Sequence, residues 1–429
     1  MLNRRSFLRS AVLQFWVVIV TVAPISVVDL GAQVPTEVGH WVATWGTAQE
    51  LYRHEDANQP RRDGRPQLTI SNQTVRMVVK TSIGGDRVRL RVANAFGAPT
   101  VVIGAATVAR RASGSAIVPG SAKEVTFGGE RSLVLHPGVV AYSDPVDFEA
   151  APLEDLVVSL YLQGDAGRPT THPLGLHTTY ISGPGDFTAA TDFPADTTTQ
   201  SYYWLAGIDV FAPEDAFAIV ALGNSITDGA LSTPDADRSW PSRLAARLAA
   251  NEDTRNIGVV NAGISGNRVL SDGAGVSVLA RLENDALSYS GVKWIVLLEG
   301  INDIGAIARG PTNPAVTAER LIWAYRQVIE RAHARGVRVA GATLTPYEGA
   351  GYFSKEGEEI RAAVNDWIRN SGEFDAVIDF DAATRNPESP TWFLPAYDPG
   401  DHLHPNDAGY QRMADEVDIS IFAPAGVGQ

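Results

Sequence analysis

Phe217-Ala218-Ile219-Val220-Ala221-Leu222-Gly223-Asn224-Ser225-Ile226-Thr227-Asp228-Gly229 is a short apolar run that breaks at a glycine and an Asn-Ser pair. A run of this length, punctuated in this way, predicts a buried strand that enters a tight turn and then a helix. A serine on such a turn turns its hydroxyl outward and leaves its own N–H open to a ligand. The same position is where a helix N-cap sits, so Ser225 taken alone reads as nucleophile or as cap.

Downstream, similar runs recur at 257–260, 294–298, 337–342 and 376–380. The segments between them carry helical spacing. Leu321, Ile322, Tyr325, Val328, Ile329 and Ala332 make one stripe, with Gly336 placed to stop the helix, and Trp240, Leu244 and Leu248 make a shorter one. Five buried strands alternating with helices predict an α/β fold: a three-layer, doubly wound domain with a parallel sheet over 216–424. In such sheets ligands bind beyond the carboxyl ends of the strands.

Upstream the period changes. Arg87-Val88-Arg89-Leu90-Arg91-Val92 alternates strictly, with three arginines on one face and three aliphatics on the other. Gly84-Gly85-Asp86 precedes it, and before that 75–83 is rich in β-formers, which together read as a hairpin. Further strands are expected at 101–108, 124–127, 132–135 and 156–162. Residues 38–208 therefore read as a β-sandwich-like domain, joined to the α/β domain by an acidic linker near 209–215.

The N-terminus reads as an export signal over 1–32. Arg4-Arg5-Ser6-Phe7-Leu8 precedes an apolar stretch over 11–28, and Leu30-Gly31-Ala32 offers a small-residue cleavage site. The twin arginine followed by Ser-Phe-Leu resembles a Tat-type signal, which carries a folded protein. An uncleaved anchor is the alternative, although Pro24 interrupts the stretch and Asp29 ends it. No later run is long enough to span a bilayer, so the mature chain is expected to have no stable membrane insertion. The chain has no cysteine, which removes lipobox attachment and disulfides. From 35 basic and 49 acidic residues, loss of Arg4, Arg5, Arg9 and Asp29 leaves 32 and 48, a formal charge of −16. Such a field disfavours nucleic acid and other polyanions and favours a neutral or weakly charged partner.

Three further segments of the second half can carry chemistry. In Asn261-Ala262-Gly263-Ile264-Ser265-Gly266-Asn267, Gly266 lets a backbone N–H approach a ligand closely, or is a simple turn. In Glu299-Gly300-Ile301-Asn302-Asp303, Asn302 can aim its amide at an oxyanion or cap a turn. In Asp401-His402-Leu403-His404-Pro405-Asn406, an Asp and a His three apart can place carboxylate and imidazole on one side of a turn. His402, adjacent to Asp401, is poorly placed to share that carboxylate. No third ligand cluster accompanies the pair, so a metal site is disfavoured.

Taken together and in this order, these blocks make the second half resemble the SGNH (GDSL-type) hydrolase family. Ser225, Gly266, Asn302 and His404 stand in its four signature blocks, and Asp401 fits its D-x-x-H. The resemblance implies a flavodoxin-like sheet and cofactor-free, metal-independent ester hydrolysis. Catalysis would rest on Ser225, His404 and Asp401, with Ser225, Gly266 and Asn302 forming the oxyanion hole. One departure is visible: the first block usually reads Gly-Asp-Ser, and Asn224 takes the acid's place here. The absence of G-x-S-x-G argues against an α/β-hydrolase elbow. Trp41-Val42-Ala43-Thr44-Trp45-Gly46 opening a β-rich domain looks like the acetylxylan-esterase-like branch, although Trp41 and Trp45 suit core packing better than sugar stacking.

The expected function is therefore an exported serine esterase, secreted or periplasmic, that removes small acyl groups, acetyl above all, from a polysaccharide. A lipase, lysophospholipase or arylesterase is the enzymatic alternative, and a non-catalytic carbohydrate-binding protein the alternative of another class. Tyr347, Tyr352 and Phe353 are expected to border the substrate pocket. Asp228, Asp303, Glu299, His333 and Asp379 are read as caps, strand-end hydrogen bonders or solvated surface.

Overall fold

Phe217–Gly223 lies at the heart of a five-stranded parallel sheet, between Ile257–Gly263 and Val292–Leu298, with Arg338–Ala342 and Ala376–Ile378 continuing the order beyond the latter. In chain order this is 2-1-3-4-5, the flavodoxin-like arrangement. The strands are buried almost along their whole length, as a sheet covered on both faces requires. Strand order reverses between the first and third strands, so Ser225 and Asn302 emerge at the two sides of the switch point where such sheets bind ligands. The computed structural model describes residues 38–51, 69–97, 99–167, 169–312 and 314–423. The expected export signal over 1–32 lies outside the described residues.

The longest expected helical stripe forms Ala318–His333, which buries Leu321, Ala324, Tyr325, Val328, Ile329 and Ala332 while Ile322 stays half-exposed. Each fully buried aliphatic or aromatic of this kind contributes about 1.5–3 kcal/mol. The chain leaves the helix through Gly336 at φ +68°, with the N–H groups of Gly336 and Val337 donating to the carbonyls of His333 and Ala332.

The first half is built from two antiparallel sheets. One carries His40–Gly46, Leu205–Ala212, Gly85–Ala93, Val146–Ala150 and Val140–Tyr142. The other is centred on Ser71–Lys80, Asp155–Asp165 and Val101–Ser113. Their inward aliphatics join those of the parallel sheet in a single core. From Gly39 onward the chain is one compact unit. The strand Leu205–Ala212 runs through Asp209, so the stretch read as the start of a linker is instead a sheet interior, and Asp209 is only 2% exposed.

The expected hairpin between 75–83 and 87–92 does not form. Ser71–Lys80 pairs with Asp155–Asp165 and Thr179–Pro184, whereas Gly85–Ala93 belongs to the other sheet. The reason lies in the corner between them. Thr81 N donates to Glu154 O at 3.0 Å and Ser82 N to Thr44 O at 2.9 Å, so neighbouring strands capture the chain before it can fold back. Gly84 is required there because a Cβ would stand 2.5 Å from the Ala150 carbonyl. The glycine signal was a corner between layers.

Candidate active site

Ser225 opens a single helical turn, Ser225–Asp228, directly after the first parallel strand. Asn224 caps that turn, its Oδ1 accepting from Ile226 N at 3.0 Å. Ser225 is 7% exposed. As the first residue of the turn its N–H has no intrahelical acceptor. From the far end of the chain His404 brings Nε2 to 2.8 Å from Ser225 Oγ. The other ring nitrogen, Nδ1, lies 2.6 Å from Asp401 Oδ2. Asp401 Oδ1 accepts from the N–H groups of Leu403 and His404 at 3.1 and 3.0 Å, which fixes the tight loop that presents the ring. Partial burial would raise the Asp401 pKa, but these N–H groups and the imidazole hold it below the usual carboxylate range. In this arrangement Nδ1–H donates to the carboxylate and Nε2 is left to accept from the serine hydroxyl.

Gly266 and Asn302 line a common cavity of about 450 Å³ with Arg268, Arg309 and Tyr352. Gly266 sits at φ +79°, a conformation that favours glycine, and among the described residues no acceptor lies on its N–H. Asn302 is held at both ends. Its Nδ2 donates to Asn267 O at 2.9 Å, and its Oδ1 accepts from Tyr352 OH at 3.2 Å. One amide N–H is thereby committed and the other remains available. A second cavity of about 690 Å³ adjoins this one, sharing Arg268 and Ala306 and adding Leu270, Val316 and Trp323.

Behind the site lie buried polar groups beyond the five site residues. Glu299, 1% exposed, accepts from Asn224 Nδ2 and Gly300 N at 3.0 Å each. Burial, reinforced by the nearby Asp303, pushes its pKa up to about 8. Asp303 is itself pushed up to about 6 by burial, although it accepts from the N–H groups of Val269 and Leu270. Arg281, 3% exposed, donates to the Gly223 and Ala262 carbonyls and to Asn267 Oδ1. It thus stitches the ends of the first two parallel strands to the Gly266 loop. Asp228 Oδ2 accepts from Ser265 N and Oγ at 3.0 and 2.7 Å, while Oδ1 faces His172 Nε2 at 3.0 Å. Glu299, directly after the third parallel strand, is a strand-end hydrogen bonder, and none of Glu299, Asp303 and Asp228 is solvated surface. All three are buried hydrogen-bonding centres next to the site. His172 and Arg281 have no sequence signature, since their partners come from other parts of the fold.

Of the three aromatics expected at the pocket, only Tyr352 lines a cavity with site residues. Tyr347 is fully buried, its hydroxyl directed to Ser354 O, so it does not border an open pocket. Phe353 packs on the Tyr347 ring at 5.1 Å. Their Gly-rich loop folds the first ring inward as core. His402 pairs with Asp398 and packs edge-on against Trp392 at 5.3 Å, apart from Asp401 as expected. His333 bonds Asp375, and Asp379 pairs with Arg369. Trp45 packs against Tyr202 at 4.9 Å and Trp41 against Phe211 at 5.5 Å. Among the described residues no group of three or more His, Asp or Glu could hold a metal ion, and no helix is long and apolar enough to cross a membrane.

Residues 221–412 match the model of the GDSL-like lipase/acylhydrolase family. No curated protein matches the chain. Solved structures similar to it include a GDSL-like lipase from Bacteroides thetaiotaomicron at 19% identity, covering 48% of this chain and 87% of that one with a TM-score of 0.35. An acetyl xylan esterase is similar at 21% identity, over 47% of this chain and 97% of that one, with a TM-score of 0.36. An acetyl xylan esterase from Geobacillus stearothermophilus is similar at 21% identity, over 49% and 97%, with a TM-score of 0.38. The second half of the chain, with the four signature blocks in order on a 2-1-3-4-5 sheet, is thus a domain of the GDSL-like lipase/acylhydrolase type, the family of SGNH serine esterases.

Proposed function

We propose that this acylhydrolase is an exported esterase that uses Ser225, His404 and Asp401 to remove small acyl groups from an acylated carbohydrate. The observation that carries the catalytic assignment is the hydrogen-bonded row Ser225 Oγ, His404 Nε2, His404 Nδ1, Asp401 Oδ2, with spacings of 2.8 and 2.6 Å. His404 takes the hydroxyl proton as Ser225 attacks the ester carbonyl, then gives it to the leaving alcohol as the tetrahedral intermediate collapses to an acyl-enzyme. Water, deprotonated by the same ring, releases the acid and restores Ser225. Asp401 keeps the proton on Nδ1 and steadies the imidazolium.

Proton transfer of this kind is worth roughly 10²–10⁴ in rate. The N–H groups of Ser225 and Gly266 and the amide of Asn302 would receive the oxyanion, and one such donor contributes about 3–4 kcal/mol. A single donor therefore rivals the whole acid–base contribution. A cavity lined by Asn302, Arg268, Arg309 and Tyr352 suits a hydroxyl-rich alcohol better than a long acyl chain. The adjoining cavity, with Leu270, Val316 and Trp323, favours the second reading, a lipase or arylesterase accepting longer acyl groups. Export rests on the twin-arginine segment ahead of the apolar stretch.

A p-nitrophenyl ester series of increasing chain length, run beside acetylated xylan with Ser225→Ala as control, tests the reading. Acetate release and preference for the shortest esters are expected, and Ser225→Ala should lose both turnover and organophosphate labelling. Best activity on long-chain esters would replace the carbohydrate assignment with the lipase one. Undiminished labelling of the variant would remove Ser225 as nucleophile.

A further inference from the structure

We propose that His172, supplied by the β-rich half, is a positioning residue for the oxyanion loop: it grips Asp228 and through it holds Ser265 and Gly266 where the Gly266 N–H can meet an oxyanion. The inference rests on the esterase reading above and concerns a residue outside the four signature blocks.

The ring of His172 is 4% exposed and meets acceptors on both sides. Nδ1 lies 2.8 Å from Ala48 O, and Nε2 lies 3.0 Å from Asp228 Oδ1 and 3.1 Å from Leu174 O. A neutral imidazole has one N–H and would set a lone pair against an oxygen on one side. Only the imidazolium satisfies both. Burial by itself disfavours that charge. The Asp228 carboxylate, with Glu50 behind it, more than offsets this and raises the pKa. Asp285 also faces the ring at longer range, and Tyr202 stacks on it at 6.5 Å. Thr170–His172 is itself anchored as a strand between Tyr202–Tyr203 and Glu50–Leu51, so the ring is a fixed point.

Asp228 closes the turn that Ser225 opens, and its second oxygen accepts both Ser265 N and Ser265 Oγ. Ser265 immediately precedes Gly266. The carboxylate thus ties the turn bearing the nucleophile to the loop bearing one oxyanion donor, and His172 neutralises and aims it. The seating is close: a Cβ on Gly263 would fall 2.3 Å from Asp228 N, and Asn261 Nδ2 donates to Thr227 O at 2.9 Å. Without His172, a carboxylate 4% exposed would lose its countercharge and turn elsewhere for solvation. The loop would lose its orientation with it. A β-rich half that contributes this residue is part of the catalytic unit.

The test compares His172→Gln with wild type on p-nitrophenyl acetate, with circular dichroism to confirm folding at the assay temperature. A misplaced oxyanion donor lowers kcat by roughly tenfold to a hundredfold while KM stays near wild type. Ser265→Ala, which removes only the Oγ bond to Asp228 at a half-exposed position, should show the same split to a smaller degree and guards against failure of the first variant to fold. Unchanged kcat in both folded variants overturns the proposal, as does a loss that only tracks the unfolded fraction. Wild-type protein with no ester turnover and no organophosphate labelling would instead defeat the esterase reading itself, so the two failures are told apart.

Discussion

Asn224 gives up the acid usual at its position because of what it faces. Its amide donates to Glu299 Oε1 at 3.0 Å, in a place where the glutamyl group is buried and pushed up to about 8. An aspartate there would set two carboxyl groups against each other with burial disfavouring both charges. At pH 5 the Glu299 proton could bridge the pair, while at higher pH repulsion grows. Asn224→Asp is therefore expected to lower stability by on the order of 2 kcal/mol near pH 8 and by less at pH 5, and Glu299→Gln added to it should restore most of the loss. Thermal unfolding of the three variants at both pH values measures this, and a pH-independent loss would refute the account. The sign for wild type follows from the same group. The folded state keeps the Glu299 proton that the unfolded chain releases at its ordinary value, so the contribution is full at low pH and is lost as pH rises toward about 8. Glu299→Gln should flatten that slope. At this scale Ser225, Asp401 and His404, which the fold brings into one hydrogen-bonded row, and Gly266 and Asn302, which share a cavity, were legible because each stands in a short local block. Glu299, Arg281 and His172 were not, because their environment is made by residues tens to more than a hundred positions away.

At the scale of the element, Gly85–Ala93 shows how far a period can be read. Alternation gave its two faces correctly, with Val88, Leu90 and Val92 fully buried. It could not say what the arginine face meets, nor that the strand would leave its presumed hairpin partner for another sheet. Arg89 and Arg91 of that face dock on residues 284–290, just ahead of the third parallel strand, while Arg87 lies 4.1 Å over the Phe211 ring. Arg91 donates to Asn284 O and Ser288 Oγ and lies 4.7 Å over the Tyr289 ring. Arg89 donates from Nε to Asp209 Oδ2 at 2.9 Å and from another nitrogen to Ser290 Oγ, which itself donates to Asp209 at 2.6 Å. Removing the guanidinium strands a carboxylate only 2% exposed. Arg89→Ala should cost about 3–5 kcal/mol, read from the urea midpoint, whereas Arg89→Leu combined with Asp209→Leu should recover much of it. Equal losses in the single and double variants would mean that packing volume, not charge compensation, sets the cost.

For the whole molecule, the issue is how the parallel sheet ends. Ile257–Gly263 is its edge strand, with backbone groups that would otherwise face solvent and invite mispairing. The β-rich half covers that edge. Val259 N donates to Ser82 Oγ at 2.9 Å and Thr47 bridges to Asn261. Gly258 admits the approach because a Cβ would stand 2.4 Å from Ala43 O. The side chains on both sides of this seam belong to one core. The antiparallel strand Leu205–Ala212 runs past Asp209, and the parallel sheet begins at Phe217; the change of period read between them carries no information about how the two sheets meet. It gave no warning of this seam, since nothing in a run of small and β-branched residues distinguishes a solvent-facing edge from a covered one. Two results are expected. The intact chain should unfold in a single transition, with tryptophan fluorescence and far-ultraviolet circular dichroism coincident. A fragment starting at residue 213, although it retains Ser225, Asn302, Asp401 and His404, should express without fixed tertiary structure and hydrolyse p-nitrophenyl acetate at least a hundredfold more slowly, on the order of a displaced oxyanion donor. A soluble fragment with near-ultraviolet signal and full turnover would show that the family half is self-sufficient and that the first half serves some purpose apart from the site.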